Sequence, residues 1–149
     1  MKKPYNVRKS AIQRGYRSGL EDNIAKQLKK LNTGAEYEPF KIPYYIPKSD
    51  HTYTPDFVLP NGIVIESKGR FTIEDRKKHI LCKEQHPEMD LRFVFSSSKS
   101  KLRKGSKTTL ANWCDRNGFL YADKLVPESW VGERHNRKSL KVIDKWKQQ

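Results

Sequence analysis

The sequence predicts a mixed α/β domain, in the order helix, strands, helix, strand, helix, strand. Three observations lead there. Leu20, Ile24, Leu28 and Leu31 recur at steps of four, four and three, which is one apolar stripe of a helix. Two β-rich runs flank the turn residues Pro60, Asn61 and Gly62, as in a hairpin. Leu91 to Phe95 (LRFVF) reads as a further strand after a second helical stretch. Helices interleaved with strands in this way call for a mixed sheet, and 149 residues suffice for one domain.

Residues 1–17 show no such pattern and are expected to be a basic, flexible arm when free. Ser18 opens the first helix, and the Asn32–Gly34 turn stops it. Tyr37 to Ile46 reads as extended, and Pro39, Pro43 and Pro47 reduce the run to an edge strand or a connector between lobes. Thr52 to Leu59 is a strand and Ile63 to Lys68 its partner. Thr72 caps a helix from Ile73 to His86, closed by Pro87. After the strand at 91–95, Ser96 to Lys107 is a polar, basic loop. Thr109 to Asn117 is a short helix with Gly118 just past its end. Phe119 to Ala122 is a last strand, and Pro127 to Trp130 one more helical turn.

The charge is uneven. The formal net charge is +14, and only 35% of residues are hydrophobic. Residues 1–17 contribute +6, residues 99–107 contribute +5 and residues 132–149 contribute +4, so the remainder carries −1. A nearly neutral body with three basic segments suits a polyanion, because Lys and Arg displace counterions from phosphates. The basic runs lack the apolar stripe of a membrane-surface helix, and no apolar run is long enough to span a bilayer. No signal peptide is expected, nor a disulfide scaffold from Cys82 and Cys114 alone, so the expected location is cytoplasmic.

The hairpin carries the chemistry. A two-residue turn at Asn61 and Gly62 would place Asp56 opposite Ser67 and send Glu66 to the other face. A three-residue loop, Pro60 to Gly62, pairs Leu59 with Ile63 and sets Asp56 opposite Glu66. The second suits its residues better: proline fits position i+1 of a type I turn, and glycine supplies the left-handed residue that closes the loop. Lys68, two residues beyond Glu66, then projects from the same face. Opposed carboxylates repel unless a cation sits between them. Oxygen ligands suit a hard divalent ion such as Mg²⁺, which also binds phosphate, and a neighbouring lysine would offset charge on a phosphorane. The residues alone leave open a plain surface arrangement of acids and lysine at a strand end.

Pro55-Asp56 followed by Glu66-Ser67-Lys68 resembles the PD-(D/E)xK nuclease signature. More specifically, the chain resembles phage endonuclease I. The likeness lies in the runs His51–Phe57 (HTYTPDF), Leu59–Ile63 (LPNGI), Ser18–Asp22 (SGLED), Asp75–His79 (DRKKH), Glu84–Glu88 (EQHPE) and Phe95–Ser98 (FSSS). It runs from about Arg17 to Trp130, so the chain divides into a basic arm (1–17), a PD-(D/E)xK nuclease domain (18–131) and a basic C-terminal tail (132–149).

The resemblance implies a restriction-endonuclease-like mixed β-sheet flanked by helices, in an intertwined, domain-swapped homodimer. It implies an Mg²⁺-dependent structure-selective endodeoxyribonuclease that resolves Holliday junctions and other branched DNA, in the host cytoplasm. Mg²⁺ or Mn²⁺ would serve, two ions per active site, with no small-molecule cofactor. Asp56 would bridge the ions, Glu66 and the backbone carbonyl of Ser67 would complete one shell, and Glu21 of the other chain would hold the second ion. Lys68 would be the catalytic lysine, and Ile42 to Pro47 the crossover between lobes.

Other candidate residues have two readings each. Ser18-x-x-Glu21 is also a capping box, in which the glutamate folds back to the N-cap amide. His79, Cys82 and His86 share a helix face, but a zinc site lacks a fourth ligand there, so packing is expected. Trp113 and Cys114 are expected in the core, while Trp146 lies in a basic amphipathic stretch that would meet DNA, a partner chain or neither. Cations at the start of a helix oppose its dipole, so Arg76, Lys77 and Lys78 point to an external anion. With Arg8, Lys9, Arg14, Arg17, Lys99, Lys101, Arg103 and Lys104 they form the expected DNA-binding set. A duplex nuclease of the restriction or repair type and a non-catalytic nucleic-acid-binding module are the competing functions.

Overall fold

The hairpin forms in the register with a three-residue loop. The computed structural model describes residues 15–46 and 48–149. Five helices and seven strands occur among the described residues. They are α1 (Gly19–Lys30), β1 (Glu36–Tyr37), β2 (Ile42–Ile46), β3 (Ser49–Tyr53), β4 (Phe57–Val58), β5 (Ile63–Lys68), α2 (Ile73–Gln85), β6 (Asp90–Phe95), α3 (Leu110–Asn117), β7 (Leu120–Asp123), α4 (Glu128–Val131) and α5 (Arg137–Lys147).

The main sheet runs β1-β4-β5-β6-β7, antiparallel from β1 to β5 and parallel from β5 to β7. α2 connects β5 to β6, and α3 lies between β6 and β7, the crossovers that parallel neighbours require. β5 is buried on both faces, which is why Ile63, Val64 and Ile65 run without a polar break. Alternation divides those residues. Val64, Phe93 and Phe95 face a core built with Cys82, Trp113, Ile143 and Trp146. Ile63, Ile65 and Val94 face the opposite core, built with Ile24, Leu28 and Trp130.

Local chemistry sets the helix ends. Ser18, Thr72 and Thr109 each accept the amide of the residue three positions on, and Gly118 ends α3 in the left-handed region at φ 71°. Asn32 and Gly34 turn left-handed after α1, at φ 51° and 71°. Among the described residues no helix is long and apolar enough to cross a membrane.

Three expectations need correction. The extended run at 37–46 is divided: β1 joins the sheet edge, while β2 pairs with β3 in a separate hairpin. The strand expected over 52–59 is broken between Tyr53 and Phe57, where Pro55 has no amide to give a ladder. The C-terminal segment is not an appendage. α5 packs on the sheet, with Ile143 and Trp146 in the first core and Ser139 fully buried. Trp146 packs tilted against Phe40 and edge-on against His86, so it is a core residue.

This segment clamps the hairpin loop. The Asn136 amide donates to the Asn61 carbonyl at 2.8 Å, and the Ser139 hydroxyl donates to the Gly62 carbonyl at 2.6 Å. Asn61 in turn donates to the Trp130 carbonyl at 2.8 Å. Arg92, buried in β6, forks onto Glu133 at 2.7 and 2.8 Å and also holds Asp90.

Candidate active site

Hairpin register brings the acids together. Val58 pairs with Val64 and Phe57 with Ile65, and the Leu59 amide donates to the Ile63 carbonyl at 2.8 Å. Continuing that register sets Asp56 opposite Glu66. Both are buried, at 2% and 4% exposure, so they interact through little water. Asp56 turns one oxygen to the next strand: Oδ2 accepts the Ser67 amide at 2.9 Å and the Ser67 hydroxyl at 2.7 Å. Glu66 Oε2 accepts the Tyr53 hydroxyl, and Glu66 Oε1 lies 3.5 Å from Lys68 Nζ.

Glu21 enters from the first turn of α1. Ser18 caps the helix, yet the capping box is not closed by Glu21. Its Oε2 accepts the Arg17 amide at 3.0 Å and the Tyr37 hydroxyl at 2.7 Å instead of the Ser18 amide. The carboxylate is thereby drawn towards Asp56. Carboxylate oxygens of Glu21, Glu38 and Asp56 all lie within 4.8 Å of one another, a grouping compact enough for a metal ion. The donor set is all oxygen, which suits a hard divalent cation. Glu66 is not one of these three; it meets Asp56 electrostatically from the next strand.

Two cations border the cluster. Lys68 Nζ lies 3.3 Å from Asp75 Oδ1, so it bridges Glu66 and Asp75. Arg17 pairs with Glu38 and approaches Asp56 at 3.9 Å.

The electrostatics follow from burial. Desolvation, with the Glu21 charge added, pushes the Asp56 carboxyl up to about 6 despite two hydrogen bonds from Ser67. Desolvation and then the Asp56 charge raise Glu66 as well, with Lys68 opposing them. Burial alone would lower Lys68, but Glu66, Asp75 and Asp56 outweigh it and hold the ammonium above its ordinary range. Two buried acids this close together repel when ionised, a repulsion that a cation from outside would relieve.

The structure thus collects Glu21, Asp56, Glu66, Ser67 and Lys68 in one place. Glu38, Asp75, Tyr37 and Tyr53 join them, and the sequence reading missed all four. The Thr72–Asp75 capping box was a signal for Asp75 as a helix residue, not as a lysine partner. Nothing in the spacing marked Glu38, whose φ of 45° and amide bond to the Asp56 carbonyl appear only in the fold.

The expected DNA-binding residues are scattered. Arg8, Lys9 and Arg14 lie outside the described residues. Arg17 belongs to the acidic cluster. Arg76 donates to the Phe71 carbonyl, and Lys78 sits over the Tyr53 ring near Asp75, which leaves Lys77 as the exposed member of that trio. Lys99 is exposed, and Lys101, Arg103 and Lys104 line a groove of about 460 Å³ with Gly69, Arg70 and Thr72. That groove begins one residue beyond Lys68. His79 and Cys82 are fully buried and pack in the core, as do Trp113 and Cys114; His86 bonds the Pro43 carbonyl.

Comparison with known proteins gives the same direction. A model of the family described as phage endonuclease I matches residues 1–149. The chain is 58% identical over 120 residues to endodeoxyribonuclease 1 of Enterobacteria phage T3, covering 80% of this chain and 79% of that protein. It is 56% identical over 118 residues to endonuclease I of Escherichia phage T7, covering 79% of each. Register, buried acids, lysine and sequence similarity agree, and this chain is a nuclease belonging to the phage endonuclease I family.

Proposed function

We propose that the protein resolves four-way DNA junctions in the host cytoplasm, as a Mg²⁺- or Mn²⁺-dependent endodeoxyribonuclease on a restriction-endonuclease-like core. The observation that carries the catalytic part is the hairpin register that sets buried Asp56 against buried Glu66, with Lys68 alongside. Glu21, Asp56, Glu66 and the Ser67 carbonyl would hold two ions, and Glu38 is a further carboxylate within reach. When bound, the divalent cations supply Lewis-acid polarisation of the phosphodiester.

The chain's own groups do the rest. Hydrogen bonds from the protein fall on one oxygen of each acid, Oε2 of Glu21, Oδ2 of Asp56 and Oε2 of Glu66, and of the other oxygens Glu66 Oε1 faces Lys68 and Asp56 Oδ1 faces Arg17, cations with which an ion would compete. Lys68 is held protonated by Glu66 and Asp75. As an ammonium it would orient water and offset charge on the phosphorane. The groove at Arg70, Lys101, Arg103 and Lys104 would carry the flanking phosphates, and the basic arm at 1–17 would add contacts. Lys77 and Lys99 are further exposed cations that could meet phosphate.

A junction presents two scissile strands related by approximate two-fold symmetry, which a homodimer with two sites matches. In a swapped dimer the contacts that Glu21 makes within one chain would form between chains, with the segment at 42–47 crossing over.

The test is incubation with a four-way junction and a matched linear duplex, with and without Mg²⁺. Mg²⁺-dependent cutting of the junction, well above the duplex, is expected. Glu66→Ala and Asp56→Ala should abolish cutting while leaving junction binding. Equal cutting of both substrates would identify a duplex nuclease, and no cutting with any divalent ion would identify a binding module.

A further inference from the structure

Two of the three site acids are held by tyrosines that lie outside the nuclease motif. Tyr37, at the end of β1, donates its hydroxyl to Glu21 Oε2 at 2.7 Å. Tyr53, the last residue of β3, donates to Glu66 Oε2 from a position 3% exposed. Ser67 does the same for Asp56 Oδ2. Neither ring is free to swing. Tyr37 packs edge-on against Tyr16 at 4.7 Å and tilted against Phe57 at 5.2 Å. Tyr53 meets the His79 ring edge-on at 4.9 Å, with Lys78 Nζ 5.2 Å from its centroid.

An oxygen that accepts a buried hydroxyl keeps fewer lone pairs, in fewer directions, for a metal ion. We propose that Tyr37 and Tyr53 are positioning residues that restrict Glu21 and Glu66 to one-oxygen ligation and thereby bias the centre towards Mg²⁺ and Mn²⁺ over Ca²⁺. This rests on the reading of those acids as metal ligands. The physical ground is the different demand of the ions. Ca²⁺ takes about six to eight oxygens and accepts bidentate carboxylates, whereas Mg²⁺ needs six at short range and keeps several waters. To chelate Ca²⁺ with both oxygens, Glu66 would have to turn Oε2 so that it serves the ion and the Tyr53 hydroxyl together, or release that hydroxyl, which is buried and would be left without a partner. Tyr37 is half-buried, so water would replace part of its lost bond and its effect is smaller.

The test uses the full chain and calorimetric titration with Mn²⁺ and, separately, Ca²⁺. Wild type, Tyr53→Phe, Tyr37→Phe and Glu66→Ala are compared, with circular dichroism to establish the fold. Partners that orient metal ligands change affinity by about 10- to 100-fold. Tyr53→Phe is expected to weaken Mn²⁺ about tenfold while Ca²⁺ binding holds or tightens, and Tyr37→Phe to move the ratio in the same direction by less. Should Tyr53→Phe not fold, Tyr37→Phe decides alone, since its ring is half-exposed. An unchanged Mn²⁺/Ca²⁺ ratio, or equal loss for both ions, overturns the tyrosine role while the ligand reading survives, provided Glu66→Ala loses Mn²⁺. Wild type and Glu66→Ala binding Mn²⁺ alike overturns the Glu66 ligand assignment and this inference with it.

Discussion

Asp56 shows how burial turns one side chain into a strained functional group. Its carboxyl is raised from 3.8 to about 6, led by desolvation. The folded chain therefore holds this proton more tightly than the unfolded chain does. Stability falls as pH rises through the window from 3.8 to about 6 and stays lowered above it. The full effect corresponds to about 3 kcal/mol. In chelator, Asp56→Asn should gain almost nothing at pH 4 and about 3 kcal/mol at pH 8. Chemical denaturation at both pH values measures this, and an equal gain at the two would contradict the burial argument. Glu38 is held by its amide bond to the Asp56 carbonyl, at 2.8 Å, and its side chain pairs with Arg17. An arriving divalent ion would compete with that guanidinium for the same oxygens.

The β4–β5 hairpin owes its register to its loop, and the loop is fixed from both sides. Gly62 stands at φ 94°, a conformation that side chains disfavour. A Cβ there would lie 3.0 Å from the Asn136 carbonyl oxygen and 3.1 Å from Leu140 Cγ. Gly62→Ala therefore combines a left-handed penalty of about 1–2 kcal/mol with a tight contact that the start of α5 must shift to relieve. It should destabilise by more than 2 kcal/mol, roughly. Cleavage should fall further than stability, because the pairing of Asp56 with Glu66 depends on that loop. Thermal unfolding and junction cleavage on one preparation check this; full activity at a lowered melting point would show that α5 does not govern the register. The sequence at 132–149 looked like a tail because its charge is conspicuous, whereas its buried face consists of Ser139, Ile143 and Trp146.

Charge and, in the proposed dimer, symmetry would govern how the molecule meets DNA. Junction affinity should fall steeply with salt, because phosphate binding releases counterions. Affinity that stays flat from low to moderate salt would exclude the basic arm and groove as phosphate contacts. Dimer architecture has its own test. Glu21 and Asp56 meet within one chain here, and β2 and β3 form a hairpin. A swapped dimer would make the same contacts between chains. Co-assembled Glu21→Ala and Glu66→Ala chains distinguish the two. With exchange, one site of the mixed dimer carries both lesions and the other is intact, so nicking returns. Without it, each site carries one lesion and the mixture stays inactive.

Turn chemistry and the two-residue period of strands were enough to read the hairpin register, because proline and glycine act within the loop itself. Ser18, Thr72 and Thr109 announced the helix starts for the same reason: a cap touches residues only three positions away. The motif acids and lysine were legible because the hairpin holds them within thirteen residues of one another. Tyr37, Glu38, Tyr53 and Asp75 were not. Each meets its acid or lysine only after β1 has docked on β4, β3 has folded back, or α2 has crossed the sheet. α5 is the same case, since its packing against a loop 77 residues earlier has no local trace. Short-range sterics thus fixed which residues face one another across the turn, and long-range burial decided what surrounds them and how strongly they resist ionisation.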